Sequence, residues 1–281
     1  MSEMHVKLSR IAILVLVATG SMAVEVSIAE EVWIADPDSG CQVWSEEALD
    51  GISVHWDGAC ADGKASGAGT LEARRDNDIV ARFSGQMAAG KAVGFGTLDI
   101  VEDDGTDRYE GSFEAGYMQG FGTFQAASGE RYEGDFRANL PHGFGRFDGS
   151  DGASYLGKIV DGQAEGYGFE SLPNGEEYEG QFSKGVRHGL GRLRYENDDV
   201  YSGQFAKDQA SGAGRLETAN GEIYVGEFVD GRAHGPGTYT APDRTTYQGG
   251  FEKGKANGAF LVTTPDGSFE LQQWRNDERV E

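Results

Sequence analysis

Glycine recurs at fixed positions of a 23-residue repeat, and this periodicity constrains the fold more than any other feature of the chain. The segment Tyr109–Phe113 returns as Tyr132–Phe136 and again as Tyr178–Phe182, each time with glycine at its third position. A period of this length is typical of repeat architectures, in which a unit buries its apolar face only by stacking on its neighbours. Nine units begin with an aromatic residue: Trp56, Phe83, Tyr109, Tyr132, Tyr155, Tyr178, Tyr201, Tyr224 and Tyr247.

Three positions of the repeat absorb most of the glycine. Positions three and twelve are glycine in all nine units, and position fourteen is glycine in eight, with Phe260 in the ninth. Position five is mostly phenylalanine: Phe113, Phe136, Phe182, Phe205, Phe228 and Phe251. Since 26 of the 44 glycines follow this register, their role is structural.

The spacing predicts one β-hairpin per repeat. Positions one, three and five point to the same side of an extended strand, so one face is aromatic with a glycine gap. Asp-Gly turns such as Asp161-Gly162 lead into the Gly-x-Gly segment, which begins a second strand. Glycine inside a strand indicates that another group packs over the backbone, and we expect aromatic rings of neighbouring strands there.

This register resembles the MORN repeat, whose pattern is Tyr-x-Gly-x-Trp, then Asp-Gly, then Gly-x-Gly-x-Leu. The sequence departs from it at position five, where phenylalanine replaces most of the tryptophans. The fold class expected is all-β, an elongated single-layer antiparallel sheet of about nine stacked 23-residue hairpins. The resemblance also implies association with membranes or with protein assemblies.

The domain organisation predicted is a signal peptide (1–23), an N-terminal cap segment (24–55), the repeat array (56–268) and a C-terminal cap (269–281). Lys7 and Arg10 precede the apolar run Ile11–Ala18, and small residues end at Ala23, which is the layout of a secretory signal. Cleavage after Ala23 or Ala29 fits, and retention as an anchor stays open. We therefore expect an exported protein, periplasmic or secreted.

Two cysteines, Cys41 and Cys60, stand 19 residues apart. In an exported chain an even number of cysteines predicts a disulfide. The alternative is a pair of buried free thiols.

The formal net charge of −23 limits the partners. Such a surface repels nucleic acid and anionic lipid, so the membrane-binding side of the resemblance is disfavoured. The polar side of the strands carries Glu110, Glu114, Glu133 and Asp135. These acids form either a solvated face or a docking strip for a basic or cation-bridged protein partner.

No catalytic motif or cofactor-binding motif is present in the sequence. It lacks a Gly-x-Ser-x-Gly elbow, a His-Glu-x-x-His helix and a phosphate-binding loop. His142, His188 and His234 share position eleven of alternating units, but four strands separate neighbours by about 19 Å, too far to share a metal ion. Asp103–Asp107 does not meet the EF-hand calcium-loop pattern. We expect no enzyme activity, no cofactor and no metal.

The function predicted is therefore a non-enzymatic extracytoplasmic repeat scaffold that mediates protein–protein interaction through an acidic sheet face. The alternative is a membrane- or glycan-associated binding module of the cell envelope. A homodimer formed by pairing of sheet ends is also compatible with an open array.

Overall fold

The computed structural model describes residues 31–46 and 49–280. This part of the chain is built from strands and turns, and none of its residues is helical. No helix in these ranges is therefore long and apolar enough to cross a membrane. The predicted signal peptide and the first residues of the N-terminal cap segment lie outside the described residues.

The described strands, in chain order, are β1 Val32–Ala35, β2 Gln42–Ser45, β3 Ile52–Trp56, β4 Ala59–Ala61, β5 Lys64–Arg75, β6 Asp78–Ala88, β7 Lys91–Glu102, β8 Gly105–Glu114, β9 Tyr117–Gln125, β10 Arg131–Arg137, β11 Leu140–Asp148, β12 Ser154–Val160, β13 Gln163–Ser171, β14 Glu177–Ser183, β15 Val186–Arg194, β16 Val200–Ala206, β17 Gln209–Glu217, β18 Ile223–Val229, β19 Arg232–Thr240, β20 Thr246–Glu252, β21 Lys255–Thr263, β22 Phe269–Arg275 and β23 Glu278–Arg279. The chain forms two compact units. The first runs to Asp151 and includes Lys158–Gln163, and the second comprises Gly152–Gly157 and the chain from Ala164 onward.

Antiparallel pairing of consecutive strands organises each unit. In the first unit, β3 and β4 pair with β5, and each strand from β5 to β11 pairs with the next. In the second unit, the same order runs from β13 to β23. The predicted all-β fold of stacked antiparallel hairpins is confirmed. One contact is parallel, between Gln42 of β2 and Lys64 of β5.

A spine of alternating tyrosine and phenylalanine rings forms the core of each unit. In the first unit, Phe136 packs edge-to-face on Tyr109 and on Tyr132, with ring centroids 5.0 and 5.1 Å apart. In the second unit, Tyr178 makes the same contacts with Phe182 and Phe205. Edge-to-face pairs at such distances stabilise by about 0.5–1.5 kcal/mol beyond area burial. The aromatic face predicted for positions one and five is thus the buried face.

The glycines at positions three and fourteen make room for the tyrosine ring. A Cβ placed on Gly134 would lie 2.5 Å from the Tyr132 hydroxyl, and a Cβ on Gly145 of the adjacent strand would also collide with that ring. The expectation of a neighbouring strand's ring is correct for Gly145. For Gly134 it is wrong, because the Tyr132 ring lies along its own strand and covers the glycine two residues ahead.

The hairpin turns stack on one another through backbone hydrogen bonds. Asp161 and Gly162 both have positive φ, 48° and 77°, as a two-residue type I′ turn requires. The Gly162 N–H donates to the carbonyl of Pro141 at 2.9 Å, and the Gly185 N–H donates to Ala164 in the second unit. One such bond, from position eight to position ten of the preceding repeat, recurs along both units.

The N-terminal strands lie across these turns. Trp33 and Trp44 cover the turn glycines Gly90 and Gly116, where a Cβ would lie 2.6 and 2.5 Å from their rings. Lys64 places its ammonium 3.7 Å from the centre of the Trp33 ring. The predicted disulfide is confirmed: Cys41, beside β2, is bonded to Cys60 of β4, with 5.8 Å between their Cα atoms.

In the last repeat the position-three glycine is covered by a phenylalanine from position fourteen and not by the position-one tyrosine. Phe260 is buried and lies over Gly249, the place that the position-one ring occupies in other repeats. Its ring contacts Phe251 and Trp274 edge-to-face. Phe269 and Leu271, which belong to the predicted C-terminal cap, are largely exposed.

Candidate interaction surface

The face opposite the aromatic spine is called the outer face. Strand alternation places positions two, four, thirteen and fifteen of each repeat on this side. In the first unit, β7, β8, β9, β10 and β11 carry it, and the side chains at these positions are exposed or half-buried.

A bulge in each hairpin shapes the outer face. Gly134 pairs with Gly145 and Phe136 pairs with Pro141, so Asp135 stands opposite the three residues 142–144. The Asp135 carboxylate accepts the backbone N–H of Phe144 at 3.4 Å and lies against Gly143, whose φ is +74°. In the second unit, Gln181 accepts the N–H of Leu190 in the same way, at 2.9 Å. The position-four side chain thus accepts a hydrogen bond from the position-thirteen N–H in the bulge, and this contact fixes the backbone that carries position thirteen.

Position thirteen presents large apolar side chains to solvent. Phe95, Phe121 and Phe144 are 64%, 60% and 64% exposed, although phenylalanine is among the residues most often buried. They lie on β7, β9 and β11; Phe95 pairs with Ser112 of β8, and Phe121 pairs with Asp135 of β10. We call these three residues the phenylalanine row. Large apolar side chains that line up on a water-facing surface suggest an interaction site.

The four acidic residues predicted to form a strip are only partly brought together. Glu110 and Glu133 flank the same residue, Thr123 of β9, and Asp135 pairs with Phe121 of the phenylalanine row. Glu114 lies at the hairpin end, opposite Tyr117. Glu110, Glu133 and Asp135 therefore share the neighbourhood of the row, and Glu114 borders the turns.

Ion pairs reduce the negative charge of this face. Arg131 binds Glu133 at 2.6 Å, Arg108 binds Asp99 at 3.0 Å and Arg146 binds Asp148 at 2.8 Å. Within the described ranges no cationic side chain lies at ion-pair distance from Glu110, Glu114 or Asp135. The uncompensated carboxylates next to the row are thus those of Glu110 and Asp135.

The second unit presents a related outer face. Tyr167 and Leu190 hold position thirteen and are 59% and 63% exposed. The Tyr167 hydroxyl donates to the Glu179 carboxylate at 2.5 Å, and that hydrogen bond raises the pKa of the tyrosine. Later repeats hold Ala213, Pro236 and Ala259 at this position. Because these repeats form the same hairpins with small residues there, the fold does not require the large apolar side chains.

Asp36, Asp38 and His55 form a second acidic grouping, which sequence reasoning did not bring together. Their ligand atoms lie within 4.8 Å of one another. Asp36 is buried, and its carboxylate accepts the N–H groups of Asp38 and Trp56 and the hydroxyl of Ser39. Burial opposes ionisation, but these hydrogen bonds outweigh it and lower the pKa of Asp36 to about 2. The arrangement holds a loop together beside Cys41.

Comparison with known sequences identifies the repeat. The sequence profile of the MORN repeat matches seven consecutive segments, residues 109–131, 132–154, 155–177, 178–200, 201–223, 224–246 and 247–259, which together span more than half of the chain. The chain belongs to the MORN repeat family. The two hairpins that begin at Trp56 and Phe83 precede the matched MORN repeats and pair with them in the same order.

No curated protein sequence matches this MORN repeat protein. Among solved structures, it is similar to the SAS-4 (dCPAP) TCP domain of Drosophila melanogaster in complex with a proline-rich motif of Ana2 (dSTIL). That similarity has 14% identity and a TM-score of 0.38, over 63% of this chain and 88% of that one. The TCP10 domain of Danio rerio CPAP shows 11% identity and a TM-score of 0.21, over 69% and 95%. Nothing about function is inferred from either.

Proposed function

We propose that the protein is a non-enzymatic, extracytoplasmic repeat scaffold that binds a protein partner through the outer face of its first unit. The binding surface consists of the phenylalanine row together with Glu110, Glu133 and Asp135. Glu114 lies at the border of this surface. The partner has apolar side chains that cover the row and basic groups that meet the carboxylates.

The exposure of the phenylalanine row carries this proposal. A large apolar side chain stabilises by about 1.5–3 kcal/mol when it is fully buried, and none of the three rings gains this in full in the free protein. Later repeats, which hold Ala213, Pro236 and Ala259 at position thirteen, form the same hairpin without a large apolar side chain there. Aromatic side chains are also enriched where protein–protein interfaces concentrate their binding energy.

The charge of the surface adds selectivity. Glu110 and Asp135 have no cationic partner among the described residues, so a basic partner supplies one. Complementary charge of this kind chiefly raises the rate of association and excludes acidic competitors. An acidic partner would bind at the same place only through cations that bridge the two acidic surfaces.

The experiment compares the wild-type protein with two variants in capture of partners from an extract of the native compartment, followed by rate measurements with the partner identified. One variant combines Phe95→Ala, Phe121→Ala and Phe144→Ala. The other reverses Glu110, Glu114, Glu133 and Asp135 to lysine. We expect the first to accelerate dissociation, and the second to slow association about tenfold at low ionic strength.

Matched controls separate binding from folding. Phe269→Ala with Leu271→Ala removes two apolar side chains of the second unit that are even more exposed than the row, and Asp230→Lys with Glu252→Lys reverses two of its acids. Both controls bind like the wild type, and they and the phenylalanine variant melt within a few degrees of it. Because Asp135→Lys removes the acceptor of the Phe144 N–H, the charge reversal is also measured with Asp135 left unchanged. If the two test variants bind the partner as the wild type does, the outer face of the first unit is only a solvated surface.

Export is part of the proposal, and the Cys41–Cys60 disulfide supports it. Structural disulfides persist in oxidising compartments and are rare in the cytosol, so the bond is compatible with an extracytoplasmic location. Protein purified from its native compartment is expected to have a mature N-terminus after Ala23 or Ala29 and to gain two hydrogens on reduction. Free thiols at both cysteines would contradict this location.

A glycan-associated module is a second candidate, favoured by a cavity on the aromatic face of the second unit. This cavity of about 340 Å³ is lined by Tyr239, Tyr247, Phe251, Phe260 and Trp274. Aromatic walls with a few polar groups are typical of small-ligand sites. Co-sedimentation with peptidoglycan that is abolished by Trp274→Ala would favour this candidate, and no co-sedimentation would remove it.

A further inference from the structure

The phenylalanine row repeats at a distance that matches one particular peptide conformation. Its members stand on alternate strands, β7, β9 and β11, at the same position of the repeat. Adjacent strands are about 4.8 Å apart, so consecutive rings of the row recur about every 9.6 Å. A linear ligand that meets all three rings needs an equivalent contact at that interval.

A polyproline II helix has this interval. It contains three residues per turn with a rise of about 3.1 Å each, which places equivalent side chains about 9.3 Å apart. An extended β-strand repeats its side-chain direction every 6.6 Å or so, and two turns of an α-helix advance about 10.8 Å. Over the two intervals between three rings, the polyproline II mismatch is about 0.6 Å, the α-helix mismatch about 2.4 Å and the β-strand mismatch about 6 Å.

The chemistry of the row agrees with its spacing. Exposed aromatic faces are the surfaces on which proline rings dock, and a proline-rich segment is already extended before it binds. Between the rings lie Ser112 and Asp135, and Glu110 stands beside them on β8. The residues of the ligand that fall between its ring-contacting prolines therefore meet a hydroxyl and carboxylates.

We propose that the outer face of the first unit binds a basic, proline-rich segment in the polyproline II conformation. The segment runs across the strands, with every third residue on Phe95, Phe121 or Phe144. Arginine or lysine at the intervening positions pairs with Asp135 and Glu110. This proposal rests on the proposed protein-binding function and names the class of partner that the same surface selects.

The test uses fluorescence anisotropy with the full-length mature protein and three synthetic peptides of equal length. The peptides are (Arg-Pro-Pro)₅, (Arg-Gly-Gly)₅ and (Glu-Pro-Pro)₅, all with blocked termini. The first is basic and adopts polyproline II, the second keeps the charge without the conformation, and the third keeps the conformation with the opposite charge. We expect the first to bind at least tenfold more tightly than either of the others.

Protein variants locate the binding. Phe95→Ala, Phe121→Ala and Phe144→Ala together are expected to weaken (Arg-Pro-Pro)₅ binding at least tenfold, and Asp135→Asn with Glu110→Gln about threefold or more. Phe269→Ala with Leu271→Ala leaves it unchanged. Circular dichroism and melting temperature establish that each variant is folded, which is expected because every changed side chain is solvent-exposed.

Each outcome decides. Equal binding of the arginine–proline and arginine–glycine peptides, or binding that survives loss of the three phenylalanines, overturns the proposal, since attraction would then be unspecific charge. Absence of peptide binding, with a protein partner still captured through the phenylalanine row, overturns this inference and leaves the proposed function standing. Absence of both defeats both proposals.

Discussion

The hydroxyl of Tyr178 donates a hydrogen bond to the carbonyl oxygen of Gln181, 2.8 Å away, after its ring has passed over the glycine between them. The same bond joins position one to position four in other repeats: Tyr109 to Ser112, Tyr132 to Asp135, Tyr201 to Gln204 and Tyr224 to Glu227. The hydroxyl therefore holds the ring flat on the glycines. This contact explains why tyrosine, and not phenylalanine, is favoured at position one.

Replacing Tyr178 with phenylalanine is expected to lower the free energy of unfolding by about 1 kcal/mol, because the Gln181 carbonyl loses its donor. Chemical denaturation with two spectroscopic probes measures the change. Tyr167→Phe is the matched control, since its hydroxyl is bonded only at the surface. A larger loss from the control than from Tyr178→Phe would contradict the role given to the hydroxyl.

The spine tyrosines predict an alkaline limit of stability. Burial raises the pKa of Tyr201 and Tyr224 to about 12, and it also raises the pKa of Tyr109, Tyr132, Tyr155 and Tyr178. In the unfolded chain they ionise near pH 10, so their contribution is fully present below about pH 10 and is lost as pH rises towards their folded values. Ultraviolet titration of tyrosinate should follow the loss of circular dichroism. Ionisation of the spine before unfolding would contradict this.

Gly134→Val is expected to destabilise the first unit by about 1–3 kcal/mol or more, because the added Cβ collides with the Tyr132 ring and with the facing strand. Glu133→Ala is the control on the other face of the same strand. Its ion pair with Arg131 is solvent-accessible, so its loss is expected to cost about 0.5 kcal/mol or less. Equal melting shifts for the two variants would show that the faces are reversed.

One buried ion pair interrupts the apolar packing of the second unit. Arg187 and Glu170, 6% and 2% exposed, are joined at 2.8 Å, and the guanidinium lies 5.1 Å from the Tyr178 ring centre. Arg187→Ala leaves a buried carboxylate unpaired and is expected to cost about 3–5 kcal/mol. Glu170→Leu with Arg187→Ala is expected to be neutral or stabilising, since Leu193 and Ala210 hold these positions one repeat later. Additive losses in a double-mutant cycle would contradict this.

Asp36 predicts an acid-sensitive N-terminal segment. Its folded pKa of about 2 lies below the unfolded value of 3.8, so its contribution is present above about pH 4 and is lost as pH falls towards 2. A shift of this size corresponds to about 2 kcal/mol at neutral pH. Asp36→Asn is expected to destabilise at pH 7 and to approach the wild type near pH 2. A stability difference that does not depend on pH would exclude ionisation of Asp36 as its source.

Much of the fold could be predicted because the repeat encodes it several times. Alternation of Tyr132, Gly134 and Phe136 predicts the buried face, and the Asp-Gly pairs predict the two-residue turns. The prediction that a ring of a neighbouring strand covers Gly134 was wrong. Alternation defines which side of the strand a ring lies on, but not whether the ring extends along its own strand or across to the next one.

The interaction surface was less accessible to sequence reasoning. Phe121 stands beside Gly122, which faces the Tyr109 ring, so the same alternation places Phe121 on the outer face, but the sequence prediction of the site used only the charged residues. The ion pair between Arg131 and Glu133 was not predicted either, because both residues stand on one strand and the choice of partner depends on side-chain conformation. The convergence of Asp36 with His55 depends on a loop path that no local pattern encodes.

The hydrogen bonds between successive turns have a consequence for how the chain folds. Gly162 bonds to Pro141 only 21 residues earlier, the ring of Tyr132 covers a glycine 13 residues later, and the disulfide spans 19 residues. Contact order is therefore low for an all-β protein, and loop-closure entropy is small at every step. When the chain becomes available from its N-terminus onward, each hairpin can form on the one before it. Folding then proceeds along the array as fast as new chain becomes available.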